Sequence, residues 1–204
     1  MTDGRFTEEE YVEWARRWLG DRPIPGELLR MVAIQAARPL GAGPDADPLH
    51  ELEITVLGPG STHPVFDDAA NQEIGGSWSE VLSHLFPVVE TFNSPSLGDG
   101  VYGYWLHPDE RAERPPIVAI DSEGTFFAPR GSTLLEALLN DSGVDGPAFG
   151  RLADRFAAIG LPISPRSRAE IPKSGIVMDP EALEKIVDAE HRAAHTASRA
   201  LASR

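Results

Sequence analysis

Apolar and polar positions alternate along this chain with two different periods. From Glu8 onward, Tyr11, Trp14, Ala15, Trp18 and Leu19 recur at i, i+3, i+4, i+7 and i+8, the stripe of an amphipathic helix. Thr7 and Glu10 have the spacing of a capping box at its start, and Gly20 ends it. A second helix is expected over Gly26–Arg38, where Leu28, Leu29, Met31, Val32, Ala33, Ile34 and Ala36 cover most of the circumference and predict deep packing. Leu49–Leu57 then changes period: Leu52, Ile54 and Val56 alternate with Glu51, Glu53 and Thr55, as in an outer antiparallel strand. Ser77 and Glu80 mark another capping box, and Trp78, Val81, Leu82, Leu85 and Phe86 read as a helix that Pro87 bends or ends. Residues 88–100 hold Val88, Val89 and Phe92 before a turn-rich stretch, and their pattern fits no single element.

The segment Val101–Leu139 is the anchor of the chain. It predicts a strand (Val101–Pro108), an acidic linker (Asp109–Arg114), a buried strand (Pro115–Ile120), an Asp121-Ser-Glu-Gly124 type I turn, a short strand and a helix. Thr133 and Glu136 are spaced as a capping box for that helix. Phe149, Leu152, Ala153, Phe156 and Ala157 give a further helix closed by Gly160, and Asp179-Pro180 starts a last one that loses its apolar side toward Ala200. These elements predict an α+β fold: a mainly antiparallel sheet packed against several helices, with a C-terminal helical extension. The expected division is one α+β domain over 1–160, followed by an irregular segment and helix over 161–204.

Composition narrows the class. The 204 residues include no cysteine, which excludes disulfides and thiolate metal sites. Neither a signal peptide nor a membrane-length apolar run is present, so a soluble cytoplasmic protein is expected. The net charge of −14 is unevenly spread. Residues 61–150 carry 14 acids against 3 bases, whereas residues 151–204 carry 7 against 9. Such a middle repels phosphate backbones and suits a basic protein partner; acidity that only maintains solubility is the alternative.

Motifs for chemistry are weak. Gly98-Asp-Gly-Val-Tyr-Gly103 matches the dinucleotide fingerprint in letters only, since strand-like residues follow it in place of a helix; it reads as a turn. Gly58-Pro-Gly-Ser-Thr62 is neither a nucleophile elbow nor a phosphate-binding loop. His191 and His195 share a helix face but lack the zincin glutamate, and Asp45, Asp47, Asp67 and Asp68 lack an EF-hand frame. His50, His63, His84 and His107 are scattered, so no metal, cofactor or catalytic group is expected. Trp14 and Trp18 read as core. Tyr102, Tyr104 and Trp105 read as core or as interface anchors beside acidic loops.

Tyr104-Trp-Leu-His-Pro108, Pro116-Ile-Val-Ala-Ile-Asp-Ser-Glu-Gly124 and the Leu134-Leu-Glu-Ala-Leu-Leu139 helix together resemble the distal half of the SUKH superfamily, the Smi/Knr-like group that includes bacterial immunity proteins. Pro23-Ile-Pro25 with Leu28-Leu29 resembles its first helix. The likeness covers about a third of the chain; the insertion between Pro39 and Trp78 and the extension after Ala157 depart from it. It implies a non-enzymatic domain that binds a cognate toxin and blocks it. With a basic, nuclease-type target, Asp99, Asp109, Glu110 and Glu113 would occupy the groove meant for phosphates, and Tyr102 and Tyr104 would be the packed anchors. A regulatory or scaffold adaptor is the alternative, and a small-molecule enzyme a more distant one.

Overall fold

The computed structural model describes residues 6–39, 47–61, 63, 65, 76–110 and 113–202. The fold is α+β. Its helices are α1 (Glu8–Leu19), α2 (Gly26–Ala37), α3 (Pro48–Glu51), α4 (Gly76–Ser83), α5 (Leu134–Asp141), α6 (Gly146–Ala158) and α7 (Pro180–Ala202). The strands β1 (Ile54–Val56), β2 (Leu85–Ser94), β3 (Gly98–Trp105), β4 (Ile117–Asp121) and β5 (Phe126–Phe127) form one antiparallel sheet in sequence order. No helix among the described residues is long and apolar enough to cross a membrane.

Local signals set several boundaries as expected. Thr7 Oγ1 accepts from the Glu10 amide at 3.2 Å, and the Glu10 carboxylate accepts from the Thr7 amide at 2.7 Å, completing the box that starts α1. The Asp121 carbonyl accepts from Gly124 N–H at 3.0 Å, and the Asp121 side chain accepts from Glu123 and Thr125, so the turn between β4 and β5 is held from its first residue. Thr133 caps α5 through the Glu136 amide, while the Glu136 carboxylate reaches back to the amide and hydroxyl of Ser132.

Elsewhere tertiary and capping forces override the pattern. The strand expected over Leu49–Leu57 begins only at Ile54. Asp47 accepts from the His50 amide with Pro48 at the first helical position, and this cap turns the preceding residues into α3. α2 buries one face only, through Leu28, Met31 and Val32, and leaves Ala36 exposed, so it is an outer helix instead of a deeply packed one. α4 already includes Gly76, which puts Ser77 inside the helix, and stops at Ser83. Leu85 and Phe86 are strand residues paired with Trp105 and Tyr104. Pro87 sits in β2 beside a bulge between Pro87 and Val89, a position where its missing N–H breaks no ladder bond. The glycine-rich stretch is strand, not turn, beyond Gly98. A side chain at Gly103 would collide with the Phe86 carbonyl, and one at Gly100 would press on Ile120 O at 3.0 Å.

Alternation sorts the sheet into two buried faces. Phe86, Val88, Tyr102, Tyr104, Ile117 and Ala119 join the apolar faces of α1, α2, α5 and α6 in one core. Leu85, Trp105, Val118, Ile120 and Phe126 face the other way, against Val81 and Leu82 of α4 and Leu183 and Val187 of α7. The chain after residue 160 enters both cores, with Ile163 and Ile171 in the first and Leu183 and Val187 in the second. Past Val187, residues 189–194 of α7 are exposed.

The outer edge of β1 is closed by a side chain. Gln35 Oε1 accepts from Val56 N–H at 2.7 Å and Gln35 Nε2 donates to Val56 O at 3.0 Å, so one amide takes the place of a sixth strand. Val56 is only 1% exposed, and its N–H would otherwise be buried without a partner. Gln35→Ala is expected to cost about 1–3 kcal/mol, read as a lower urea midpoint at unchanged slope. A midpoint equal to that of the parent protein would mean that water satisfies this edge.

Candidate functional site

The residues expected to contact a partner do not form one patch. Tyr102 and Tyr104 are each only 3% exposed, because β3 is the central strand and its even-numbered positions lie under the helical layer. Tyr102 donates its hydroxyl to Asp141 Oδ2 at 3.1 Å and Tyr104 donates to Glu27 Oε1 at 3.0 Å. They are core ties, not surface anchors. Glu110 is also withdrawn from the surface: its Oε1 accepts from the Val177 and Met178 amides at 2.8 and 2.7 Å. Together with the Trp105 indole, which donates to Met178 O at 2.9 Å, it clasps the segment leading into α7.

The other three carboxylates are exposed but separated. Asp99 lies at the start of β3, while Asp109 and Glu113 lie beyond its end, and the six residue steps of strand from Asp99 to Trp105 span about 20 Å. An apolar neighbour for Asp99 comes from β2. Phe92 is 55% exposed, the most exposed aromatic side chain among the described residues. The ladders pair Thr91 with Ile54 on one side and with Gly100 on the other. Both ladders stop being regular at Thr91: Glu53 is the residue before Ile54 of β1, Asp99 the residue before Gly100 of β3, and Glu90 stands two positions before Phe92 in β2. The register of this end of the hairpin is irregular between Thr91 and Ser94. Glu90 is half-buried, and burial raises its carboxyl above the ordinary value. Phe92 was visible in the sequence only as one apolar residue in an unassigned stretch; without the strand it had no face and no neighbours.

Folding also assembles two histidines that looked scattered. The His84 and His107 rings lie 4.8 Å apart, and each packs on Trp105, His84 edge-on at 5.7 Å and His107 stacked at 6.0 Å. His107 Nδ1 accepts from the Asp109 amide at 3.2 Å. Burial, then the neighbouring His107, hold the His84 pKa below its ordinary value against the pull of Glu80. His84 borders an open cleft of about 480 Å³ whose wall also includes Arg17, Trp18, Arg22, Ser83 and Leu106.

The remaining candidates carry no chemistry in the fold. Asp47 is a helix cap in an ion pair with Arg38 at 2.9 Å; Asp45, Asp67 and Asp68 lie outside the described residues. The Gly58 loop is closed on itself, with Gly58 N–H donating to Ser61 Oγ at 2.8 Å. His191 is an exposed helix residue, and the His195 side chain lies outside the described residues. No group of three His, Asp or Glu side chains among the described residues is arranged to hold a metal ion. No protein-family model, curated protein or solved structure matches the chain.

The buried carboxylates make a pH test possible. Burial raises the Glu27 pKa, against the hydrogen bonds from Leu134, Tyr104 and Leu135 that lower it. Burial likewise raises Asp141, against Asn140, Tyr102 and Arg168. A raised folded-state pKa contributes stability in full below the ordinary carboxylate value, and that contribution is lost as pH rises through the raised value. Glu27→Gln keeps an oxygen to accept from Leu134 and Tyr104 but removes the ionisation. The difference in urea midpoint between variant and parent should therefore move in the variant's favour as pH rises from about 4 to 7. A difference independent of pH would show that Glu27 does not titrate in this range.

Proposed function

We propose that this chain is a non-enzymatic protein-binding domain that occludes a basic partner, in the manner of an immunity protein neutralising a nuclease-type toxin. The observation that carries the reading is Phe92, an exposed aromatic in β2 at the end of the sheet where Glu53, Glu90 and Asp99 adjoin the last paired residues. An aromatic that can enter a partner's pocket supplies affinity, and surrounding carboxylates supply orientation and fast encounter with a positive groove. The carboxylates would sit where the partner holds phosphates. The scarcity of bases between residues 61 and 150 supports the same polarity of partner. The resemblance of the central unit to the Smi/Knr-like group supports it too, since that group implies helices packed on an antiparallel sheet. The anchors differ from those the sequence suggests, with Phe92 in place of Tyr102 and Tyr104.

The test begins with capture of the partner from the native host at low and high salt, followed by binding of the purified pair. Phe92→Ala is expected to weaken binding by about 30-fold or more, the size of an interface hot spot. Asp99→Lys should lower the association rate and flatten its salt dependence, whereas Tyr102→Phe should leave affinity unchanged. Neutralisation requires in addition that the partner's activity stop on binding; a bound partner that stays active identifies an adaptor. Salt-independent binding indifferent to Phe92→Ala and Asp99→Lys would reject the hairpin as the interface.

A further inference from the structure

The cleft beside His84 has no part in the hairpin interface, and its chemistry runs against the rest of the molecule. In a chain of net charge −14, its wall carries two guanidinium groups, Arg17 from the last turn of α1 and Arg22 from the turn that follows. Among the described residues neither has an ion-pair partner, whereas Arg38, Arg155, Arg166 and Lys185 each hold a carboxylate. His84 and Ser83 at the end of α4 stand in the same wall, with Trp18 and Leu106 as its apolar part. Ser83 Oγ donates to Glu80 O at 2.7 Å, which leaves its lone pairs as acceptors and its proton committed.

We propose that this cleft binds a small organic oxyanion, a phosphate or carboxylate carried on a flat or apolar body. Two planar forks suit bidentate contact with such oxygens. Trp18 with Leu106 covers the body of the ligand. The volume lies within the range of small-molecule sites, about 300–1,000 Å³. Two effects oppose anion binding: the C-termini of α1 and α4 both meet here, each bringing about half a negative charge, and Glu80 Oε1 lies 3.7 Å from His84 Nε2. Two full guanidinium charges outweigh the helix ends, and Glu80, more than half exposed, is screened by water. Arg16 shares the helix-end setting of Arg17 but lies outside the wall, so it separates a helix-dipole role from a ligand role.

The experiment titrates the full chain with inorganic pyrophosphate and with citrate, followed by amide and imidazole NMR shifts. The site predicts saturable shifts centred on Gly20, Arg22, His84 and Leu106. Arg17→Gln and Arg22→Gln should each weaken binding about tenfold, while Arg16→Gln leaves it unchanged. Tighter pyrophosphate identifies a phosphate ligand, and tighter citrate a carboxylate. Shifts that never saturate, or that survive the Arg17→Gln and Arg22→Gln substitutions as fully as Arg16→Gln, would overturn the assignment. Phe92→Ala should bind both anions as the parent does, which keeps failure here separate from failure of the hairpin interface.

Discussion

A β-strand pair that is apolar on both faces has no stable form until both faces are covered, and β2 with β3 is such a pair. Close approach of the two backbones at Gly103 sets their spacing, and the alternation on β3 then sends Tyr102 and Tyr104 one way and Trp105 the other. The first face draws in the helical layer of α1, α2, α5 and α6. The second is met by α4 and by α7, which comes from the far end of the chain. Most of the architecture follows from that one requirement. The exceptions are the edges and ends, where the sheet runs out of cover and either a side chain closes it, as Gln35 does, or the surface stays open, as at Phe92.

Polar groups inside this structure act as fasteners between layers. Glu27 of α2 receives the Leu134 amide at the start of α5 and the Tyr104 hydroxyl from the sheet, so one carboxylate joins three elements. Asp141 at the other end of α5 receives the Tyr102 hydroxyl. The two tyrosines therefore fix α5 over β3 at both of its ends. Glu110 does the equivalent on the opposite face by receiving two amides of the segment before α7. Burial makes each ionised carboxylate costly; donors converge on all three, and at Glu27 and Asp141 burial still outweighs them. Acidity in this chain is thus partly structural, and the surface share of it is smaller than the composition suggests.

Elements with a local cause were legible from residue order. The Thr7 and Thr133 caps, the Asp121 turn and the α6 stripe all rest on patterns within a few residues. The failures share a different cause. Leu85 and Phe86 continue a helical stripe in the sequence, yet cross-strand pairing with Trp105 and Tyr104 claims them. Leu49–Glu51 adjoins the alternation of Leu52, Ile54 and Val56, yet the Asp47-Pro48 cap claims it for a helix. The site was less legible than the fold because exposure is a property of the assembled sheet. Tyr102 and Phe92 are both aromatic strand residues beside acidic stretches, and only the layer above one and the open end around the other separate them. The same holds for His84 and His107, 23 positions apart in sequence and in ring contact in space.

The clasp at Glu110 and Trp105 bears on how the molecule is born. Synthesis runs from the N-terminus, so β2, β3, β4 and the first helical layer exist before Leu183 and Val187 have been added. Throughout that interval the nascent sheet carries Trp105, Val118, Ile120 and Phe126 on a face that, among the described residues, Val65 and α4 cover in part. A growing polypeptide with an uncovered apolar sheet is a substrate for chaperones and proteases, and a source of aggregates when translation stalls. The last helix is therefore a maturation step: until it arrives the ribosome presents an unfinished surface, and its docking converts that surface into an interior.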